Sequence, residues 1–597
     1  MNYTTVAEMF YAISGKYSEK ALFYEKINRE WQGCAGRELQ QTVEKLAGGL
    51  ASLGLKRGEQ VAIISGNCPK WAFSDYACAI SGLVSVAVYP TLIARQVQYI
   101  VDHSEARLIF AENQVQVEKI LQIREQCPQL QTIVCFDPTI AFNEDFILTF
   151  DQVLKLGDDF NHSRPADFWS TQAAKIAPDD LLTLIYTSGT TAEPKGVMLT
   201  NRNIMSNVAD CQVANPTAEN DVFLSVLPLS HIFERTGEYY GFSTGGALYY
   251  AEDIAKMVAN LGEVQPTIMF TVPRLFEKMY AKISAKLTSG SPLKQKIGAW
   301  AVGVGETVSR RKKQGRVGLV LSLKLKLARA LVFSKITSMF GPRFKWFICG
   351  GAPLTPEIGR FFDALGVIIL EGYGLTEASP VITGNLWNDN HYGTVGPALR
   401  QVEIQIAADG EILARGPNIM RGYFKDDSAT REALDAEGWL HTGDIGVLDE
   451  HGLLRITDRK KNIIVTAGGK NVVPLALEGA LTLNDFIEQV VVVGDSRKFI
   501  SALIVPSFDQ LTEWARGLGI QFSEYEELVR NSDVLAHFRE IVNRQMESFS
   551  RYEQVKKFIL LHQPFTIEDG TLTPKLSIKR KIVEARYAHL IDALYAV

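Results

Sequence analysis

The chain has 597 residues, 46% hydrophobic and 22% charged, more than one compact core holds, so two or more domains are expected. Lys plus Arg number 62 against 67 for Asp plus Glu, a net charge of −5, which excludes the overall basic footprint of a nucleic-acid-binding protein. The seven scattered cysteines form no CxxC pair and read as buried thiols in a reducing compartment, with neither a disulfide framework nor a zinc site.

The N-terminal stretch Met1–Phe23 carries charges every few residues and lacks the apolar core of a secretory signal. No window offers the roughly 18 uninterrupted apolar residues of a spanning helix. The expectation is a cytoplasmic protein, or one peripheral on the inner face of a membrane. Short apolar runs then recur: Val61–Ile64, Leu108–Phe110, Thr132–Phe136 and Leu181–Tyr186. Segments of helical period, such as Arg37 to Leu55, lie between them, and strands alternating with helices predict a doubly wound α/β architecture.

The fourth run leads into Tyr186-Thr-Ser-Gly-Thr-Thr-Ala-Glu-Pro-Lys-Gly-Val-Met-Leu-Thr200. Glycine lets a backbone approach a polyphosphate closely, and the Ser and Thr hydroxyls with the loop N–H groups donate to its oxygens. Lys195 adds a point charge. The G-x-x-x-x-G-K-[ST] pattern of a Walker A loop is absent. His231 follows in Leu227-Pro-Leu-Ser-His-Ile-Phe-Glu-Arg235, and no HxxxH or HExxH spacing indicates a catalytic zinc.

Between Leu293 and Phe340 stand eleven cations, among them Arg310-Arg-Lys-Lys313, with Glu306 the sole acid. Leu319, Leu321, Leu323, Leu325, Leu327 and Leu331 are interleaved with them. Basic residues among leucines point to contact with an anionic membrane surface.

Further on come Cys349-Gly-Gly-Ala-Pro353, Glu371-Gly-Tyr-Gly-Leu-Thr-Glu-Ala-Ser379, Gly438-Trp-Leu-His-Thr-Gly-Asp-Ile-Gly446 and Asp458-Arg-Lys-Lys-Asn-Ile-Ile-Val-Thr-Ala-Gly-Gly-Lys-Asn471. Glu403–Ile406 and Glu411–Ala414 alternate like antiparallel strands around an Asp409-Gly410 turn. A break is expected near Asp458–Lys461, giving a body over 1–458 and a small C-terminal domain over 459–597. The fold class is therefore α/β: a large N-terminal body of α/β sheets with helices plus a β subdomain, and a small α+β lid.

Taken together, these motifs resemble the adenylate-forming superfamily of acyl-CoA synthetases, luciferases and peptide-synthetase adenylation domains, in order and spacing from about residue 180 to 580. The basic, leucine-rich stretch is similar to an insertion of the long-chain acyl-CoA synthetases. The resemblance implies that ATP and Mg²⁺ activate a medium- to long-chain fatty acid as its adenylate, and that the acyl group passes to coenzyme A. It implies a β/γ-phosphate cradle of Ser188, Gly189, Thr190, Thr191 and Lys195, an α-phosphate donor in Thr376 and a metal ligand in Glu377. Tyr373 is implied at one face of the adenine and Gly351 with Ala352 at the other, while Asp444 and Arg459 hold the ribose. His231 flanks the acyl carboxylate.

The same resemblance places a hinge around Lys461, with Gly469 in the loop that approaches the pantetheine arm. One departure stands out. In Leu572-Thr-Pro-Lys-Leu-Ser-Ile-Lys-Arg580, Ser577 occupies the position of the family's C-terminal lysine, with Lys575 two residues before and Lys579 two after. In an extended segment these share a face, and Lys575 is the candidate substitute. Acyl carrier protein as the thiol, or a degenerate binder of acyl-adenylate or nucleotide, remain the alternatives.

Overall fold

The structure, a computed structural model, describes residues 3–140, 142, 144–187, 193–288, 291–313, 318–460, 462–467, 470–566, 569–573 and 578–596. The expected runs form strands Gln60–Ile64, Leu108–Ala111, Thr132–Cys135 and Leu181–Thr187, and the helical segment becomes helix Gly36–Ser52. Val84–Val88 lies between Gln60–Ile64 and Leu181–Thr187, and this central group pairs in parallel. Continuous Val/Ile/Leu composition without alternation suits strands covered on both faces.

Lys195–Thr200 returns antiparallel beside Leu181–Thr187, with Thr187 opposite Lys195, so the two strands form a hairpin. Beyond it, Gly422–Tyr423 adds a short antiparallel strand, Tyr423 opposite Val197.

A second eight-stranded sheet runs Val381–Gly384, Ile368–Gly374, Trp346–Cys349, Ile268–Thr271, Val222–Ser225, Ala247–Tyr250, Ala21–Ile27, Glu30–Ala35. Its central strands are parallel, Cys349 lying opposite Glu371. A four-stranded antiparallel sheet holds Glu403–Ile406, Glu411–Arg415, Leu440–Leu448 and Leu454–Arg459. Its first hairpin turns through Asp409-Gly410, where Gly410 takes φ +87°.

One apolar cluster extends from Val6 to Leu454, and a separate one from Ile464 to Leu560 lies around strands Ile487–Val493, Ile500–Pro506 and Val555–Leu560. All seven cysteines are free, four of them buried. Among the described residues no helix is long and apolar enough to cross a membrane.

Candidate active site

The C-terminal ends of parallel strands are where open α/β sheets bind ligands, and Gly351, Ala352, Tyr373, Thr376 and Glu377 lie at or just after the ends of two adjacent strands. Gly350–Ala352 follow strand Trp346–Cys349, and Gly351 turns the chain at φ +81°. Tyr373 and Gly374 end the neighbouring strand. A Cβ on Gly374 would stand 1.8 Å from the Pro380 carbonyl oxygen, so only glycine permits the close return that forms the Thr376–Ala378 turn. Thr376 is buried in that turn, and Glu377 is half-buried beside it.

Three groups from distant parts of the chain meet at the hairpin. The Tyr423 hydroxyl donates to Glu377 Oε1 at 2.8 Å, and Lys195 Nζ lies 5.0 Å from the centre of the Tyr423 ring. The Met420 N–H donates to the Glu377 carbonyl at 2.8 Å, tying the same segment to the turn. An ammonium and a carboxylate thus flank one aromatic ring, at the exit of the predicted phosphate loop. Tyr423 was missed in the sequence, where only its position after Arg421-Gly422 marks it.

A second group forms around Asp444. Its Oδ2 accepts from the Tyr373 hydroxyl at 2.8 Å, and Arg459 Nε lies 3.3 Å from its Oδ1 across paired strands. Burial raises the Asp444 carboxyl above its ordinary value, opposed by Arg459 and Tyr373. Tyr373 itself is buried and braces Asp444 through its hydroxyl.

His231 caps helix Ile232–Phe242, its Nδ1 accepting from the Phe233 N–H at 3.0 Å. An acceptor Nδ1 puts the proton of a neutral ring on Nε2, making that nitrogen a donor. The helix touches both preceding turns: a Cβ on Gly350 would lie 3.2 Å from the Phe233 ring, and Thr236 Oγ1 donates to the Ser379 carbonyl at 3.3 Å. His231 thus starts the helix that packs against the Gly350 and Ser379 turns. Ser188, Gly189, Thr190, Thr191, Gly469 and Lys575 lie outside the described residues, as does Ser577. Lys579 is described, as the N-cap of helix Arg580–Arg586.

The family model for AMP-binding enzymes matches residues 13–424, and that for the AMP-binding enzyme C-terminal domain matches 461–597. The chain belongs to the AMP-binding enzyme family. Among its relatives, the long-chain-fatty-acid–CoA ligase FadD15 of Mycobacterium bovis is 34% identical over 99% of this chain and 97% of its own length. Fatty acyl-CoA synthetase A of Dictyostelium discoideum is 34% identical over 92% of this chain and 83% of its own. Among solved structures, the adenylation domain of a carboxylate reductase from Mycobacterium chelonae superposes with a TM-score of 0.79 at 22% identity, covering 99% of this chain and 91% of that one. The anthranilate CoA ligase AuaEII in complex with anthranoyl-AMP gives 0.75 at 18%, covering 99% of both. At those identities the structures support the fold.

Proposed function

We propose that this AMP-binding enzyme is a long-chain fatty acid–CoA ligase, which uses ATP to form an acyl-adenylate and then passes the acyl group to coenzyme A, releasing AMP and pyrophosphate. The observation that carries it is the meeting of Lys195, Tyr423 and Glu377 beside the Thr376 turn and the Tyr373–Asp444–Arg459 group. Full-length similarity to curated CoA ligases favours coenzyme A over acyl carrier protein, and an active ligase over a degenerate binder.

Adenylation brings a carboxylate against the α-phosphate of ATP, so the problem is charge against charge. In this reading Ser188, Gly189, Thr190, Thr191 and Lys195 cradle the β- and γ-phosphates and Thr376 donates to the α-phosphate. Tyr373 and Gly351 with Ala352 border the adenine, and Asp444 with Arg459 takes the ribose hydroxyls. His231 donates from Nε2 to the acyl carboxylate. A Mg²⁺ fits Glu377: one carboxylate is what a cation sharing its shell with phosphate oxygens needs, and no cluster of three acidic, His or Cys ligands occurs among the described residues. The ion would offset phosphate charge.

For the second half-reaction the C-terminal domain, 459–597, swings about Lys461, exchanging Lys575 for Gly469 at the site. In support, the chain is tied to the body just before that point. Lys460 Nζ bonds Asp409 at 2.6 Å and Glu411 at 2.9 Å, and its N–H donates to the Gly443 carbonyl. The basic segment around Arg310–Lys313 docks the enzyme to anionic membrane surfaces, where its substrate dissolves; Arg310 and Arg311 are exposed.

The deciding experiment is AMP release over a panel of carboxylic acids, with and without coenzyme A, and with carrier protein in its place. Turnover should peak on long acids and need coenzyme A. AMP release driven equally by carrier protein overturns the thiol assignment, and no ATP–pyrophosphate exchange with any acid overturns the ligase.

A further inference from the structure

Helix Leu319–Ala328 and the wider turn Arg329–Phe333 that continues it carry apolar residues on two opposite sides, with Ser322, Lys324, Lys326 and Arg329 between them. One side belongs to the body: Ala328 and Phe333 are buried in the cluster that Leu321 and Leu325 pack against. The opposite side is bare. Leu319 is 85% exposed, Val320 69%, Leu323 64%, Leu327 52% and Leu331 48%. At about 100° per residue, Leu319, Val320, Leu323 and Leu327 fall within an arc of about 100°, which Leu331 continues. Lys326 flanks one edge of that arc and Lys324 the other, both exposed. A helix with one apolar side packed on the body leaves its second apolar side in water, and an exposed apolar strip of this kind marks a contact site.

The charges select the partner. Lys324, Lys326 and Arg329 border the strip, exposed Arg310 and Arg311 lie on the preceding helix, and Glu306 is the only acid between Leu293 and Phe340. A second copy docked on this face would set the same cations against one another. A phospholipid leaflet instead offers phosphates at the height of the lysines and hydrocarbon below them.

We propose that Leu319, Leu323, Leu327 and Leu331 form a membrane-inserting edge, buried at the headgroup–acyl boundary of a leaflet with Lys324 and Lys326 among the phosphates. The proposal deepens the membrane reading above and rests on it. It adds that binding is mainly apolar, and so persists on neutral lipid and in salt.

The test is co-sedimentation of the full chain with phosphatidylcholine vesicles, with and without phosphatidylserine, at low and high salt. The parent should bind neutral vesicles at high salt. The variant L319S/L323S/L327S/L331S should lose about 100-fold of that partitioning, yet keep low-salt binding to anionic vesicles. R310S/R311S should weaken only the latter. Pyrophosphate exchange on a short soluble acid should be unchanged in both, showing that they fold. Leu323→Glu, a single change at an exposed position, should also abolish neutral binding. If the quadruple variant binds neutral vesicles like the parent, the inserting edge is overturned. If the parent binds only anionic vesicles at low salt, the electrostatic reading stands and the insertion fails. Absence of all vesicle binding overturns both readings. A parent dimer that the leucine variant turns into a monomer makes a second copy the occupant and also overturns insertion.

Discussion

Glu377 has one carboxylate oxygen committed to the Tyr423 hydroxyl, which fixes its direction before any ligand arrives. Glu377→Ala should therefore cost on the order of 3 kcal/mol in adenylation, ~100-fold in rate, with the fold intact. Near-normal pyrophosphate exchange would remove it from the site. Tyr423→Phe should cost about 10-fold, the loss of one charge-assisted hydrogen bond; an unchanged rate would make Tyr423 a packing residue. Lys195, Glu377 and Asp444 were marked out in the sequence because each sits inside a run of special residues. Tyr423 was not, because its place depends on a strand pairing with Val197 far earlier in the chain. Burial was equally invisible. Glu234, three residues after His231, is enclosed, and burial pushes its carboxyl up to about 8 from 4.5. Between those values the folded chain holds a proton that the unfolded chain has released. Unfolding there releases it, so this group makes stability fall as pH rises from about 4.5 to 8. The slope reaches up to about 1.4 kcal/mol per pH unit. Glu234→Gln should flatten the decline in denaturant midpoint between about pH 5 and pH 8. An identical slope in parent and variant would show that Glu234 is ionised in the fold.

The connection from strand Val222–Ser225 to helix Ile232–Phe242 delivers His231, and the Asn67 side chain pins its first half. Asn67 Nδ2 donates to Ser225 Oγ at 2.9 Å and to the Leu227 carbonyl at 2.6 Å, while its Oδ1 accepts from the Leu229 N–H at 2.8 Å. Asn67→Ala should destabilise the fold by about 2 kcal/mol and raise KM for the acid more than KM for ATP. Equal changes in both would mean that the connection does not aim His231. The elements themselves were largely readable: strands announced by short apolar runs appear within a residue or two of their expected ends. The leucine-rich stretch was read less well. Leucines alternating at every second position look like one row in the sequence, but helical geometry divides them. Leu321 and Leu325 turn inward and Leu319, Leu323 and Leu327 outward. Arg310 and Arg311 also end helix Pro292–Lys313, where the helix dipole favours cations whether or not a membrane is near.

At the scale of the molecule, motif order announced two parts, but nothing in the sequence showed how they touch, because contacts between domains use single side chains without a pattern. One such contact is an ion pair: Arg274 Nη2, on helix Pro273–Thr288 of the body, lies 3.1 Å from Glu488 Oε1 on strand Ile487–Val493. Both side chains are partly exposed, so the pair contributes only about 0.5–1 kcal/mol. That is too little to hold the protein folded, yet enough to bias two orientations of the C-terminal domain by about 2- to 5-fold. If the two half-reactions use different orientations, Arg274→Ala should slow the one that needs this contact and relatively favour the other. Pyrophosphate exchange reads the first half-reaction, and thioester formation from supplied acyl-adenylate reads the second. Their ratio should move by about 2- to 5-fold, and the charge swap R274E/E488R should restore it. Parallel losses in both assays would mark the pair as structural, and an unchanged ratio would mean that the domain's swing passes without breaking it.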